Sequence, residues 1–519
     1  RLEGERFFSG QSKQYHYDAS GLLGRVTHGD GTVLELERDQ GGRVVTRRLP
    51  DGSDRLAYDA DGRLLRAENA DTEVVFDYDE RGRPVGETQT VGAWRFEVRH
   101  ELDDNGLVTA RHYSTGWGYA VERRDEDGAP TRLSITASAP SDADCSLGFD
   151  HDVMSRESRR WFESSGVALI TERDLHGLPA AIAIEPGDRA TDRSVRTRRY
   201  TWSPRGPLAA IDDDHAGRRD YELDARGRVT SATGLGARER FHYAPQGTPL
   251  PAEGRWNLAT GGRPTVAGDA HLDWDARGRL VACTRSDPRR SFTYRYDADN
   301  RLREATRGDG VSFRYVYDAL GRRLAALSST GTSTFFGWDG NALVEEDVTD
   351  GEAVRRIYDD FNVTPIAERR GGRWHLVATD AASTPWAYVD DQGAAADVDL
   401  GSWGKVARSS GDAGSLRFAG QRYDATTGLH YNRHRYYDPE LHVFLTPDPL
   451  GIAASLQDIG FVPNVTYFID PLGLTTIVAG SRTDPAIQSH VKILQEQNPG
   501  ARVICSDQLG RPPSLWQRI

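Results

Sequence analysis

At 519 residues the chain has room for about three average domains or for one repetitive body. Its 47 aromatic residues (11 Trp, 20 Tyr, 16 Phe) exclude disorder, while a hydrophobic content of 37% is lean for a filled core and favours a shell-like or extended shape. A formal charge of −13, from 65 basic and 78 acidic residues, excludes a global nucleic-acid binder because phosphate is repelled.

Only three of the basic residues are lysines (Lys13, Lys405, Lys492), so the planar five-donor fork of arginine dominates and Arg–carboxylate pairing is expected across the surface. No run of about 18 apolar residues is present, so no membrane-spanning helix is expected, and the first ten residues do not have the pattern of a signal peptide. The chain starts at Arg1 and its only methionine is Met154, which reads as a fragment whose upstream part carries any targeting information. Cys145, Cys283 and Cys505 are too few for a disulfide scaffold, and no CxxC pair suggests zinc. Synthesis in the cytosol, without cofactor or metal, is the expectation.

Taken in chain order, the sequence repeats itself. Tyr17-Asp18-Ala-Ser-Gly21 returns as Arg38-Asp39-Gln-Gly-Gly42-Arg43, Tyr58-Asp59-Ala-Asp-Gly62-Arg63 and Tyr78-Asp79-Glu-Arg-Gly82-Arg83. Weaker copies follow at Leu102-Asp103, Arg124-Asp125, Arg173-Asp174, Leu223-Asp224 and Trp274-Asp275, and the pattern sharpens again at Tyr296-Asp297 and Tyr317-Asp318. A period near 20 residues is too short for a propeller blade and fits one β-hairpin. Asp accepts a backbone bond within the turn and Gly supplies the left-handed conformation. Flanking segments such as Val74–Tyr78 and Phe313–Tyr317 have the β-branched and aromatic content of strands. Roughly 20 hairpins at about 4.8 Å per strand make a ribbon on the order of 190 Å long, which must twist and curl on itself. With a modest apolar content, such a spiral encloses a cavity, and its end strands need plugs.

These Tyr-Asp and Gly-Arg units resemble the YD repeats of bacterial Rhs proteins, Tc-toxin C subunits and teneurins. The resemblance is most specific in Arg417-Phe418-Ala-Gly420-Gln421-Arg-Tyr423-Asp424 through Gly428-Leu429-His-Tyr431-Asn432-Arg433-His-Arg435-Tyr436-Tyr437-Asp438-Pro439, which is similar to the Rhs-associated core signature, and Trp386 through Trp403-Gly404-Lys405-Val406 resembles the segment preceding it. The family implies an all-β fold: a spiral of hairpins forming a hollow cocoon around a C-terminal toxin, which the shell cuts from itself.

Two identical tetrads, Asp448-Pro449-Leu450-Gly451 and Asp470-Pro471-Leu472-Gly473, lie 22 residues apart. As residue types alone they read first as turn chemistry at the repeat period. The catalytic reading is that equivalent turns on adjacent hairpins bring two carboxylates together, one protonated to polarise a carbonyl and one ionised to activate water. The family resemblance implies that reading: Asp448 and Asp470 are the candidate catalytic pair, Pro471, Leu472 and Gly473 the cleavage motif, and the Leu474–Thr475 bond the cleavage site. Three departures stand out. Pro447 occupies the position where some relatives carry Arg, Gln457-Asp458-Ile459 replaces an Asn-Leu-Tyr stretch, and Asn464-Val465 replaces Asn-Pro. Any assisting arginine therefore comes from elsewhere, with Arg433 and Arg435 as candidates. His430 and His434 have the spacing of a helical metal site, but in a strand they lie about 13 Å apart and read as structural.

After Leu474 the repeat stops. Thr475–Ala479 reads as a strand, Asp484-Pro485 starts a helix with Ile487, Val491 and Leu494 on one face, Asn498-Pro499-Gly500 ends it, and Arg502–Cys505 reads as another strand. This is the opening of an α/β domain, with net charge +2 against −15 for the body. His490 and Cys505 make no convincing catalytic set. The expected organisation is a YD-repeat shell over 1–415, a core segment with the aspartates over 416–474, and a toxin segment over 475–519. The family implies cytoplasmic synthesis followed by secretion or delivery into a target cell, a spike or carrier acting through upstream sequence, and a cognate immunity protein, with no nucleic-acid binding by the shell. Two alternatives are a Tc-toxin C subunit, needing a second protein to complete its shell, and a surface adhesion protein with no enzymatic step.

Overall fold

The computed structural model describes residues 1–7, 9–125, 128–137, 145–187, 196–203, 206–359, 363–451, 457–474, 477–478 and 504–505. Antiparallel strands follow one another in chain order in two long sheets, one of 23 strands running from Gly4–Arg6 to Pro249–Pro251 and one of 16 running from Trp256–Leu258 to Val406–Ser409. Sequential antiparallel pairing is what a chain of hairpins dictates. The break falls at Pro249 and Pro251, which lack the N–H needed to carry the ladder onward.

The repeat has a concrete hydrogen-bond logic. In the turn at Tyr58-Asp59, the Asp59 N–H donates to the Arg63 carbonyl at 3.0 Å, Gly62 N–H donates to the Asp59 carbonyl at 3.1 Å, and Asp59 Oδ1 accepts from Arg63 N–H at 2.9 Å. Gly62 has φ +88°, where a Cβ is disfavoured. Before each such turn the register slips by one residue, as between Ala57 and Tyr58, which adds twist to the ribbon. The Tyr58 hydroxyl then donates back to the Val44 carbonyl of the preceding hairpin at 3.0 Å, and Tyr78 does the same to Leu64 at 2.9 Å. This bond explains several of the degenerate copies, though not those with Leu102 or Leu223 at the position. Trp274 Nε1 donates to Pro264, Arg38 Nη2 to Leu23 and Arg124 Nη2 to Val108, so any long side chain with a terminal donor serves.

Contacts between non-adjacent hairpins measure the coil. Arg47 pairs with Asp299 and Arg263 with Gln11, each 252 residues apart, and Gln89 Oε1 accepts from Trp338 N–H across 249. Further along, Arg160 meets the Val377 carbonyl across 217 residues and Arg219 the Leu400 carbonyl across 181. A turn of the spiral therefore narrows from roughly 23 strands to roughly 18, or from about 35 Å to about 27 Å across at 4.8 Å per strand. The hairpin ends of the first turn rest on the Tyr-Asp turns of the second, as where Asp51 Oδ2 accepts the Ala298 N–H at 2.8 Å and Asn69 Nδ2 donates to the Tyr317 carbonyl at 2.9 Å.

The segment after the second sheet folds differently. Strands Arg422–Tyr423, His430–Asn432, Arg435–Asp438 and Val443–Phe444 form a small sheet of their own, and its side chains are almost all buried. Leu429, Tyr431, Tyr436, Leu441 and Val443 pack on one stretch of wall, while Leu416, Phe418, Val462 and Tyr467 pack on another. Buried Arg323 ties this segment to the wall through the Asp424 carboxylate and the Tyr436 hydroxyl, both at 2.7 Å. These contacts hold the segment against the wall.

Beyond Leu474, strand Ile477–Val478 pairs antiparallel with Phe468–Ile469 and parallel with Ile504–Cys505. The two strands read from the tail sequence thus pair in the parallel sense that a crossover connection provides. The helix expected between them, with His490, lies outside the described residues, as do Thr475 and the side chain of Cys505.

Candidate functional site

Both Asp-Pro-Leu-Gly tetrads are turns, and the turns are what deliver the carboxylates. Asp470 Oδ1 accepts the Leu474 N–H at 2.9 Å and Gly473 N–H reaches the Asp470 carbonyl at 3.4 Å, the same bonds that close the Tyr-Asp turns. Asp448 Oδ1 accepts the Leu450 N–H at 2.9 Å, and Gly451 N–H donates to the Asp448 carbonyl at 3.0 Å.

The two carboxylates meet at one guanidinium. Arg435 Nη2 lies 2.8 Å from Asp448 Oδ2 and 3.4 Å from Asp470 Oδ2, with all three side chains buried. Arg435 Nε donates to the Gly473 carbonyl at 2.5 Å, Nη1 to the Asp458 carbonyl at 3.4 Å, and the guanidinium stacks 3.6 Å from the centre of the Phe444 ring. One side chain therefore reads both acids and the backbone one residue before Leu474. Arg433, the other sequence candidate, is elsewhere: it donates to the Leu320 carbonyl at 3.0 Å and lies over the Trp338 ring. Its φ of 55° marks it as the hairpin corner that turns Arg435 inward. His430 and His434 fall on either side of this corner rather than along one strand; His430 contacts Gln421 Oε1 at 2.8 Å, and burial lowers both imidazoles well below the ordinary range.

Burial pushes the Asp448 carboxyl up to about 7; Arg435 pulls against that rise and the neighbouring Asp470 adds to it. The candidate cleavage motif is clamped. Asn432 Nδ2 donates to the Asp470 carbonyl at 2.9 Å and His434 N–H to the Leu472 carbonyl at 3.2 Å. Gly473, at φ +70°, leaves space for the Asn432 carbonyl, which a Cβ would meet at 2.6 Å. At Gly420 a Cβ would stand 1.9 Å from the Pro471 carbonyl, so glycine is what lets the Pro471 backbone approach here. Leu474 is buried, and the Thr475 side of the expected scissile bond lies outside the described residues.

The sequence reading missed Asn432 and Asp458 as contributors. Asn432 sits inside the quoted signature, but only the hairpin fold shows that its amide faces Asp470. Arg435 can reach both acids because Asn432–Arg435 is a tight corner.

Comparison with known proteins matches the repeat and the fold. A teneurin YD-shell model matches residues 210–458 and an RHS repeat model matches residues 58–93. The Dickeya dadantii (strain 3937) protein named "Probable deoxyribonuclease RhsB" is 29% identical over 448 residues, covering 82% of this chain and 30% of the relative. The double-stranded DNA deaminase toxin A of Burkholderia cenocepacia (strain H111) is 26% identical over 500 residues, covering 85% and 34%, and the toxin protein Tse5 of Pseudomonas aeruginosa is 27% identical over 525 residues, covering 84% and 39%. The chain spans about a third of the length of these curated relatives. Among solved structures, the crystal structure of TcdB2-TccC3-TEV superposes with a TM-score of 0.69 at 14% identity, over 89% of this chain and 27% of that one, and shares the fold. From the hairpin repeat, the spiral shell and these matches together, the chain belongs to the Rhs/YD-repeat family.

Proposed function

We propose that residues 1–415 form a shell, closed by the plug over 416–474, which encloses a toxin segment beginning at Thr475 and frees it by hydrolysing the Leu474–Thr475 bond. The observation that carries this reading is the convergence of Asp448 and Asp470 on Arg435, which also holds the Gly473 carbonyl. Asp448, pushed up to about 7, keeps its proton in a large share of molecules near neutral pH and in nearly all below it, and serves as general acid. Asp470, ion-paired to Arg435, serves as the base. It takes a proton from water as the water oxygen bonds to the Leu474 carbonyl carbon, while Asp448 protonates the carbonyl oxygen. The C–N bond then breaks, the Asp470 proton passes to the Thr475 amine, and the new hydroxyl returns a proton to Asp448, leaving a free Leu474 carboxyl. The clamped turn presents the bond without a separate binding step.

Relatives named as nucleases and as a DNA deaminase support an enzymatic poison as the released segment, and secretion with a carrier and an immunity partner belongs to the same proposal. The test is a denaturing gel of the parent, Asp448→Asn and Asp470→Asn. The parent yields a fragment of the size of residues 475–519 and the variants stay intact; an unchanged fragment in either variant removes that aspartate from the mechanism.

A further inference from the structure

The Asp448 turn is seated on residues that come from both turns of the spiral. Asp458 stands at the centre of this seat. Its carboxylate is paired with Arg263 Nη2, both side chains being 4% exposed, and accepts the Ser9 hydroxyl at 2.9 Å. Its backbone carbonyl accepts the Asp448 N–H at 2.8 Å and Arg435 Nη1 at 3.4 Å. Arg263 belongs to the second sheet, stacks over Trp274 and also donates to Gln11 Oε1 at 3.0 Å. Ser9 and Gln11 belong to the first hairpin, which also sends Lys13 Nζ to the Pro449 carbonyl at 3.5 Å. Residues 9–13 and 263 are one full circuit of the spiral apart, so they meet only where the seam between turns is closed.

We infer that Asp458 and Arg263 are positioning residues that hold Asp448 against Arg435 and so make self-cleavage conditional on closure of the seam between the two spiral turns. The physical reason is that a buried ion pair is rigid when complete and strongly unfavourable when one partner is missing. With the seam open, the Asp458 carboxylate turns toward water and takes its carbonyl with it, releasing the N–H of Asp448 and one donor of Arg435. A carboxylic acid that has moved by about 1 Å from its bond loses on the order of 10²-fold in rate. Asp458 stands within the Gln457-Asp458-Ile459 stretch that departs from the family pattern, so the brace is a property of this chain.

This inference rests on the self-cleavage reading, and its test separates the two. Precursor recovered in denaturant is refolded, and appearance of the C-terminal fragment is timed alongside a melting curve of each variant. Arg263→Met is expected to slow cleavage at least tenfold, Arg263→Lys to restore much of the rate by keeping the charge, and Arg263→Met with Asp458→Asn to cleave faster than Arg263→Met alone because no lone charge remains. Arg196→Met, which breaks an equally buried cluster with Asp213 and, on the other spiral turn, Asp397, without touching Asp448 or Asp458, is expected to lower the melting temperature while cleaving at the parental rate once folded. The brace is overturned if folded Arg263→Met cleaves at the parental rate, if Arg263→Lys is as slow as Arg263→Met, if the double variant is no faster, or if Arg196→Met is slowed as much. Cleavage persisting in Asp448→Asn would instead sink the self-cleavage reading itself.

Discussion

Asp470 Oδ1 accepts the backbone N–H of Leu474 at 2.9 Å, the same bond from residue i to i+4 by which Asp59 holds Arg63 in a repeat turn. The candidate site is thus a repeat turn put to another use. In the repeat, the second carboxylate oxygen is taken by the arginine four residues on, as in Arg63 Nε to Asp59 Oδ2 at 2.5 Å. At Asp470 that position is Leu474, and the second oxygen faces Arg435 instead.

Arg435 is expected to be as necessary as the aspartates. In Arg435→Met the two acids lose their shared cation, and the ionised base becomes costly to bury. Cleavage should fall by roughly 10²-fold or more, the scale of lost acid–base catalysis, with Arg435→Lys intermediate because lysine cannot reach Gly473 and both carboxylates at once. A time course of fragment release on a denaturing gel measures this.

The pH dependence has a defined sign. Asp448 in the folded chain stays protonated up to about 7, so its acid form is lost above that value and the cleavage rate should fall tenfold per pH unit beyond it. For stability, a folded value above the unfolded value of 3.8 favours the fold below about 4, and the contribution is lost as pH rises through 7. Asp380 and Asp438, pushed up by burial to about 6, act in the same direction. The melting temperature of cleavage-blocked Asp470→Asn should therefore carry a downward contribution from pH 5 to pH 8 that is smaller when Asp448→Asn is added.

Gly473→Ala tests the clamp. The new Cβ would meet the Asn432 carbonyl at 2.6 Å in a left-handed conformation that costs an alanine about 1 to 2 kcal/mol. Slower cleavage is expected with an otherwise intact shell, judged by an unchanged far-ultraviolet circular dichroism spectrum.

One motif should behave differently in two places. Asp59 and Arg63 are partly exposed, so Asp59→Ala should lower the melting temperature only slightly, through the lost turn bond to the Arg63 N–H rather than the ion pair. Asp318 and Arg322 are almost wholly buried, with Glu87 also on Arg322, so Asp318→Ala should cost about 3 to 5 kcal/mol in denaturant unfolding.

The strand Ile477–Val478 remains paired to Phe468–Ile469 on the shell side of the cut. Hydrolysis of one peptide bond does not remove those bonds, so the cleaved fragment should co-elute with the shell in gel filtration and separate only in denaturant. Separation under native conditions would show that the pairing does not retain it.

The sequence by itself determined the hairpin, its 20-residue period and the all-β spiral, because Asp-x-x-Gly turns and flanking strands are set by contacts within a few residues of each other. It also marked Asp448 and Asp470, through a tetrad repeated at one period. The degenerate copies at Arg38, Arg124 and Trp274 were harder to read, since what they share is a terminal donor reaching a carbonyl about 10 to 16 residues back, not a residue type. Only the tertiary structure decided between Arg433 and Arg435, because a single positive-φ corner sends one outward to the wall and the other inward to the acids. It alone brought Arg263 to Asp458, since the sequence separation that makes one circuit is fixed by the accumulated twist of some twenty strands and is written in none of them.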